Sequence, residues 1–327
     1  MRAAYYERTG DASQVLTVGT LPTPDAGPGE VLVRVLASGI NPADVKRRAG
    51  WGGMKMQHGR IIPHCDGAGI IEAVGEGVSA ERVGEQVWLW NAQGGYGEAG
   101  RAHGTAAEFI ALPEKQAVTL PEHFTPEQGA CLGVPAMTAH RCVMSDGPVA
   151  GLTILVQGGA GAVGYLAAQI ALAGGARVIT TVSTSSAEER LTTLGAEPIN
   201  RHTENVAARV LEMTGGSGVD RIVEVDFASN QNTDAQVLVP NGTLASFSSS
   251  SDPMPVLDYY ACASRGVNLR FIQGFALPEG GRKAAINWLV HHHLDVPLAP
   301  SFPLDHCAAA HIQVEKGAVF GQTVLRC

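Results

Sequence analysis

Three glycines, Gly159, Gly161 and Gly164, fall in the spacing G-x-G-x-x-G within the run Gly158, Gly159, Ala160, Gly161, Ala162, Val163, Gly164. Positions without a side chain let a backbone turn tightly, approach a pyrophosphate and pack a helix against a strand, while N–H groups at the helix start attract phosphate. Thr153–Val156 is a short β-rich apolar run ahead of the glycines. A small-residue apolar helix follows to about Ala173, Gly174-Gly175 breaks it, and Arg177–Val182 reads as a second strand. Strand, turn, helix and strand in about 30 residues make one βαβ unit. The expectation is a dinucleotide site; the alternative is a glycine-rich turn in an α/β sheet that binds nothing. Beyond the second strand the chain reads Ser183-Thr184-Ser185-Ser186. A carboxylate there would bind ribose hydroxyls and repel a 2′-phosphate, whereas hydroxyls donate to that phosphate. NADPH is therefore expected over NADH.

Two other clusters carry ligand chemistry. His64-Cys65-Asp66 places three potential metal donors in a row; it reads first as a turn and second as a metal site. His291-His292-His293 ends a helical stretch, and consecutive helical residues point in different directions, so a polar helix end is expected. The six cysteines (Cys65, Cys131, Cys142, Cys262, Cys307, Cys327) are scattered without C-x-x-C, which fits a reducing cytoplasm rather than a disulfide framework. At 327 residues the chain has room for about two domains. A net charge of −8 argues against nucleic-acid and anionic-membrane partners. No apolar run reaches membrane-spanning length, and the first residues lack the apolar core of a signal peptide.

The elements that must position these residues differ between the two parts of the chain. In the first part, short strands are expected at Arg2–Glu7, Glu30–Ala37, Ile70–Val74, Gln86–Trp90, Ala106–Ala111 and Ala117–Leu120, a spacing that fits a partly open barrel. Asn41, Pro42 and Asp44 suit a helix start. Thr125-Pro126-Glu127 caps a helix to about Met144, which Pro135 must kink. Arg190–Leu194 and Asn205–Thr214 read as helices. Val219–Val225, Gly242–Phe247 and Asn268–Ile272 suit a parallel sheet. Ligands lie at the carboxyl ends of such strands, which singles out Asp226, Phe247, Ser248 and Phe271. Gly280 to Val290 is a helix, Pro297 to Pro303 is extended, and Leu304–Glu315 is a helix leading to the Gly317–Gly321 turn and a last strand.

The stretches SGINPADVKRRAG, PHCDGAGIIEAVGEGV and GEQVWLW resemble the catalytic lobe of the medium-chain dehydrogenase/reductase superfamily. NPAD, LGVPAMTAHR and LVQGGAGAVG narrow the resemblance to the zeta-crystallin-like NADPH:quinone oxidoreductases, and VDRIVEVD, NGTLASF and GAVFGQTVL extend it nearly end to end. It implies an α/β chain: a doubly wound parallel (Rossmann) domain over 126–267, and a GroES-like catalytic domain over 1–125 and 268–327. It also implies that Asn41, Asp44 and Lys46 line the catalytic cleft, that Thr138 lies beside the nicotinamide, and that the C-terminal return with Gly321 closes over the cofactor. The neighbouring zinc alcohol dehydrogenases would place ligands at Asn41, Cys65 and Val134, with a glutamate at Asp66. Only Cys65 is a usual zinc donor of those three, so a zinc-independent enzyme is expected. The stretch 91–104, where structural zinc would sit, has no cysteine. Lys46 and Trp51 stand where tyrosines are common, a departure that points away from simple benzoquinones. Arg201 replaces a tyrosine and could fork onto the 2′-phosphate or pair with Glu204; Ala187 replaces a lysine. The implied function is hydride transfer from NADPH to a quinone, enone or other activated carbonyl by a cytoplasmic homodimer, joined edge to edge near Asn241–Ser248. Enoyl or alkenal double-bond reduction and a non-catalytic NADPH-binding redox sensor are the alternatives.

Overall fold

A computed structural model describes residues 1–94, 100–317 and 319–327. Residues 95–99 of the cysteine-free 91–104 stretch, and Ala318 of the 317–321 turn, lie outside the described residues. The chain divides into two compact units, Met1–Pro135 with Asp295–Cys327, and Ala136–Leu294.

The first unit begins with β1 (Arg2–Tyr5) and β2 (Thr17–Thr20), paired antiparallel, with the short helix α1 (Ala12–Val15) between them. Then come β3 (Glu30–Gly39), α2 (Pro42–Ala49), β4 (Asp66–Val74), β5 (Gln86–Leu89), β6 (Phe109–Pro113), β7 (Ala117–Thr119) and α3 (Pro126–Gly129). The alternation VLVRVLA sets the role of β3. Val31, Val33 and Val35 point into a core shared with Ile71, Leu89, Ile110 and Leu112, each worth roughly 1.5–3 kcal/mol when fully buried. The antiparallel register sets Gly39 opposite Asp66, which brings the start of α2 to the start of β4.

The second unit opens with α4 (Met137–Met144) and alternates from there: β8 (Thr153–Val156), α5 (Ala162–Ala173), β9 (Arg177–Val182), α6 (Ser185–Leu194), β10 (Glu197–Asn200), α7 (Val206–Met213), β11 (Val219–Glu224), α8 (Phe227–Val237), β12 (Leu238–Ser246), α9 (Tyr259–Ala263), β13 (Asn268–Phe271) and α10 (Glu279–His291). Its six strands are all parallel in the order β10-β9-β8-β11-β12-β13. The order reverses between β8 and β11, and the glycine run follows β8 at that switch point, where open α/β sheets bind ligands. The chain then returns to the first unit with β14 (Phe302–Pro303), α11 (Cys307–Lys316) and β15 (Val324–Arg326), the last pairing antiparallel with β3. β14, β15, β3, β4, β5 and β7 lie side by side in one sheet, and β6 joins it through β3.

The doubly wound sheet and the β-rich unit match expectation, but several boundaries do not. The return falls at Asp295 rather than 268, because β13 completes the parallel sheet beside β12 and α10 packs within the same unit. The change of unit after the N-terminal part falls at 135/136 rather than 125/126. The expected 126–144 helix is broken: α3 ends at Gly129, a π-type turn over Leu132–Ala136 contains Pro135, and α4 follows. The Thr125 cap holds, its Oγ1 accepting from Gln128 N at 3.3 Å. Helix α6 starts at Ser185 rather than Arg190, with Thr184 as its cap, and ends as expected at Gly195 in the left-handed region. Among the described residues the outer strands are β10 and β13, so the 241–248 run is one strand in from the edge.

Candidate functional site

In the second unit the glycine run forms a backbone cradle. Gly161 is the residue before α5, and no side chain caps that helix, so its first N–H groups face outward without an internal acceptor. A Cβ at Gly159 would overlap Thr180 Oγ1, and one at Gly164 would overlap the Gly158 carbonyl oxygen. The turn is therefore compressed to a shape that only glycine allows. Polar groups under it hold that shape. Gly158 N donates to Thr181 Oγ1 at 2.8 Å, Thr181 donates to Gln157 Oε1 at 2.9 Å, and Gln157 Nε2 donates to Asp234 Oδ1 at 2.8 Å. Asp234 and Glu224 are buried together. Burial, then the neighbouring carboxyl, pushes Asp234 well above its ordinary value; burial raises Glu224 as well. The pair is thus held short of full ionisation. This support was invisible in the sequence, since its members lie on β8, β9, β11 and α8; a buried glutamate ending an apolar strand was the available signal.

At the far end of β9, Arg201 Nε donates to Ser183 Oγ at 2.8 Å, so the two residues singled out for a 2′-phosphate stand together. Glu204 instead accepts from Asn200 N at 2.9 Å and meets Arg209 at 3.5 Å. Thr184 Oγ1 accepts from Ala187 N and lies 3.3 Å from Ser186 Oγ, while Ser185 begins α6. Asp226, Phe247, Ser248 and Phe271 do fall at strand ends. Asp226 takes Ser251 N and Ser229 Oγ as donors at 3.0 and 3.1 Å, so its carboxylate is engaged in ordering the 248–251 serines. Phe247 N donates to Glu224 O, and Ser248 Oγ contacts Ser250 Oγ at 2.9 Å. Phe271 is 71% exposed and meets Phe227 edge-on. Thr138 is buried, and its Oγ1 has no hydrogen-bond partner among the described residues. His291 and His292 bond carbonyls of their own helix at 2.7 and 2.9 Å, and His292 stacks on Trp288, which makes a polar helix end.

In the first unit Asp44 Oδ2 accepts from Asn41 N at 2.8 Å, so these residues do cap α2. The amide of Asn41 is used elsewhere: its Nδ2 donates to Asp66 Oδ2 at 2.7 Å, and Val134 N donates to the same oxygen at 2.8 Å. Asn41, Asp66 and Val134 thus converge on one carboxylate oxygen. Burial, then the Asp44 charge, raises Asp66 to about 8, while burial against the Asn41 backbone bond leaves Asp44 at about 6. The Lys46 ammonium lies 4.7 Å from the Trp51 ring centre, a cation–π contact. Gly321, at φ 94°, sits in the turn before β15.

Both carboxyls have folded values above their unfolded ones. The stability they contribute is therefore complete below about pH 4 and is lost as pH rises through about 6 and 8. The loss is at most about 1.4 kcal/mol per pH unit per group. Asp66→Asn keeps an acceptor for both donors and removes the titration. Denaturant midpoints from pH 5 to 9 should fall less steeply in the variant than in the parent, and parallel profiles would refute the assignment.

Residues 27–122 match the alcohol dehydrogenase GroES-like domain family, and residues 162–290 match the zinc-binding dehydrogenase family. A mycobacterial protein solved as a complex with NADPH is 30% identical, with full coverage of both chains and a TM-score of 0.82. The chain belongs to the medium-chain dehydrogenase/reductase superfamily. Quinone oxidoreductases are among its relatives in that superfamily. The Rattus norvegicus enzyme is 34% identical over 216 residues, 65% of this chain and 62% of the relative. The Pseudomonas aeruginosa enzyme is 29% identical over 325 residues, 92% of each chain. The chain thus spans about three fifths of the first of these curated relatives. In the zinc-dependent members of the superfamily, the resemblance places metal donors at Asn41, Cys65 and Val134; here Asn41 and Val134 donate hydrogen bonds to Asp66 instead.

Proposed function

We propose that this chain is a zinc-independent reductase that transfers hydride from NADPH to a quinone, an enone or another activated carbonyl. The observation that carries the reading is the glycine cradle followed by a carboxylate-free strand end at which Arg201 and Ser183 are already paired. NADPH supplies the hydride when bound. The chain's contribution is orientation. Open N–H groups of α5 hold the pyrophosphate, and Ser183, Thr184, Ser185 and Arg201 hold the 2′-phosphate. Asp226, Phe247, Ser248 and Phe271 border the carboxyl ends of the strands, and the unpartnered Thr138 hydroxyl is available to the cofactor. Gly321 is a proposed cofactor residue, carried by the C-terminal return of the first unit. Asn41 and Asp44 are proposed to orient the acceptor, with Lys46 and Trp51 narrowing the choice toward enones and larger carbonyls.

Zinc-independence is supported by the donor set: an amide, a backbone N–H and a carboxyl bonded to each other do not make the three metal ligands of a catalytic zinc. The test is NADPH oxidation against a panel of quinones, enones and alkenals, before and after exhaustive chelation. Turnover that survives chelation is expected. No turnover with any acceptor despite NADPH binding would favour the sensor reading, and activity restored only by zinc would overturn this one.

A homodimer is proposed along β13, the outer strand of the parallel sheet. Exposed Tyr260 and Phe271 support it, and sedimentation showing only monomer at micromolar concentration would count against it. A cytoplasmic setting is proposed because all six cysteines are free thiols. Among the described residues no helix is long and apolar enough to cross a membrane.

A further inference from the structure

The first unit holds a second cluster that uses none of the groups assigned above. His64, Cys307 and His311 are buried, and one donor atom from each lies within 4.8 Å of the other two. The two histidine Nε2 atoms are 2.8 Å apart, with the rings stacked at 5.1 Å. Cys307 and His311 sit one turn apart on α11, so their side chains share a face.

The protonation of His64 follows from its neighbours. Thr105 Oγ1 donates its only hydrogen to the Asp66 carbonyl at 2.5 Å. Ser38, 2.7 Å from Thr105 Oγ1, must therefore donate to Thr105. Ser38 is then left to accept from His64 Nδ1 at 2.8 Å. The proton of His64 is thus on Nδ1, and its Nε2 accepts from His311 Nε2–H at 2.8 Å, a proton that moves to the unpartnered His311 Nδ1 when a metal takes both Nε2 atoms. Metal-ligating imidazoles donate their other N–H to an outer acceptor, usually a carboxylate, carbonyl or water, and the Ser38 hydroxyl fills that place here.

The arrangement is costly for a core that only needs filling. His64 is held at φ 80°, in the left-handed region, and His311 Nδ1 is buried without a partner. We infer that His64, Cys307 and His311 form a buried binding site for a soft monovalent d10 cation, Cu(I). Charge and coordination choose it over Zn(II). Two neutral imidazoles and a thiolate carry one negative charge, so a monovalent ion gives a neutral buried centre. A divalent ion would leave an uncompensated positive charge in a buried site. Structural zinc takes four ligands, whereas this group offers three and is closed to water. Thiolate and imidazole donors suit Cu(I). On binding, the Cys307 S–H bond is exchanged for S–Cu and the proton passes to solvent.

Burial places loading at or before folding, so the full chain is produced in copper- and in zinc-supplemented medium, dialysed against a weak chelator and analysed for metal. Stoichiometric copper without an electron paramagnetic resonance signal is expected in the parent. Copper should fall to background in Cys307→Ala and in His311→Gln, and should persist in Cys65→Ala, which controls for adventitious thiol binding. If one of the site variants fails to fold, the other carries the test. Copper at background in the parent, copper retained by the folded site variants, or stoichiometric zinc in place of copper would each overturn the inference.

Discussion

Gly164→Ala is expected to bind NADPH about five- to 150-fold more weakly than the parent, the range set by about 1–3 kcal/mol of overpacking in the turn that meets the phosphates. The added methyl would overlap the Gly158 carbonyl oxygen and stand 3.1 Å from the Gly159 Cα, so main chain rather than a side-chain tip must move. Gly158 N and Gly159 N are both tied to Thr181, so relief of the overlap disturbs the turn that meets the phosphates. Gly161→Ala separates packing from binding. Its backbone (φ −77°, ψ 162°) is open to alanine, and its methyl meets only Gly158 O at 3.3 Å. The melting temperature should hold, while affinity falls because the methyl stands where the pyrophosphate approaches. Fluorescence titration and thermal melts of both variants provide the check. Parent-like NADPH affinity in Gly164→Ala would mean that this turn is not the cradle.

Arg201→Ala is expected to cut the preference for NADPH over NADH by about ten- to a hundredfold, since a hydrogen bond to a charged group is worth about 1.5–3 kcal/mol. The side chain is already turned toward Ser183 by its 2.8 Å bond, and its backbone N donates to Val182 O at 3.0 Å, which anchors it to the end of β9. A cation fixed in advance loses less freedom on binding a phosphate. The effect should fall on NADPH alone, leaving the NADH constant near the parent value. Equal losses for both cofactors would place Arg201 in the architecture rather than in phosphate recognition. A parent that prefers NADH would refute the serine-run argument as well.

What the sequence disclosed was local or periodic. The G-x-G-x-x-G turn, the alternation in β3, the Thr125 cap and the Gly195 stop each depend on residues a few positions apart, and each formed where expected. Helix α8 did not announce itself, because FASNQNTDAQV is polar and lacks a clear apolar face; it is fixed by burial of Phe227, Asp234 and Val237. The run Asn268–Ile272 reads as a parallel-sheet strand and forms β13 there, while the domain boundary falls later than expected because no local signal marks α10 as part of the same unit. Convergence was hardest to read. Asn41 and Val134 stand 25 and 68 positions from Asp66, and only the β3–β4 register and the turn after α3 bring them onto one oxygen. His64 and His311 are 247 positions apart, beyond any motif.

The pairing of β15 with β3 has a consequence for biosynthesis. The first unit is built from both ends of this chain, and Val324 must find Gly39 before its sheet is complete. The second unit is one uninterrupted segment between them. A ribosome adding about 5–20 residues per second therefore finishes every strand of the parallel sheet while the other sheet still lacks β15, the partner of the Ala37–Gly39 end of β3. During that interval of several seconds or more, the growing chain carries one half able to fold and another whose open flank is a target for mispairing or for a chaperone. Vectorial synthesis gives the parallel sheet a head start, and β15, made after it, completes the earlier-made sheet.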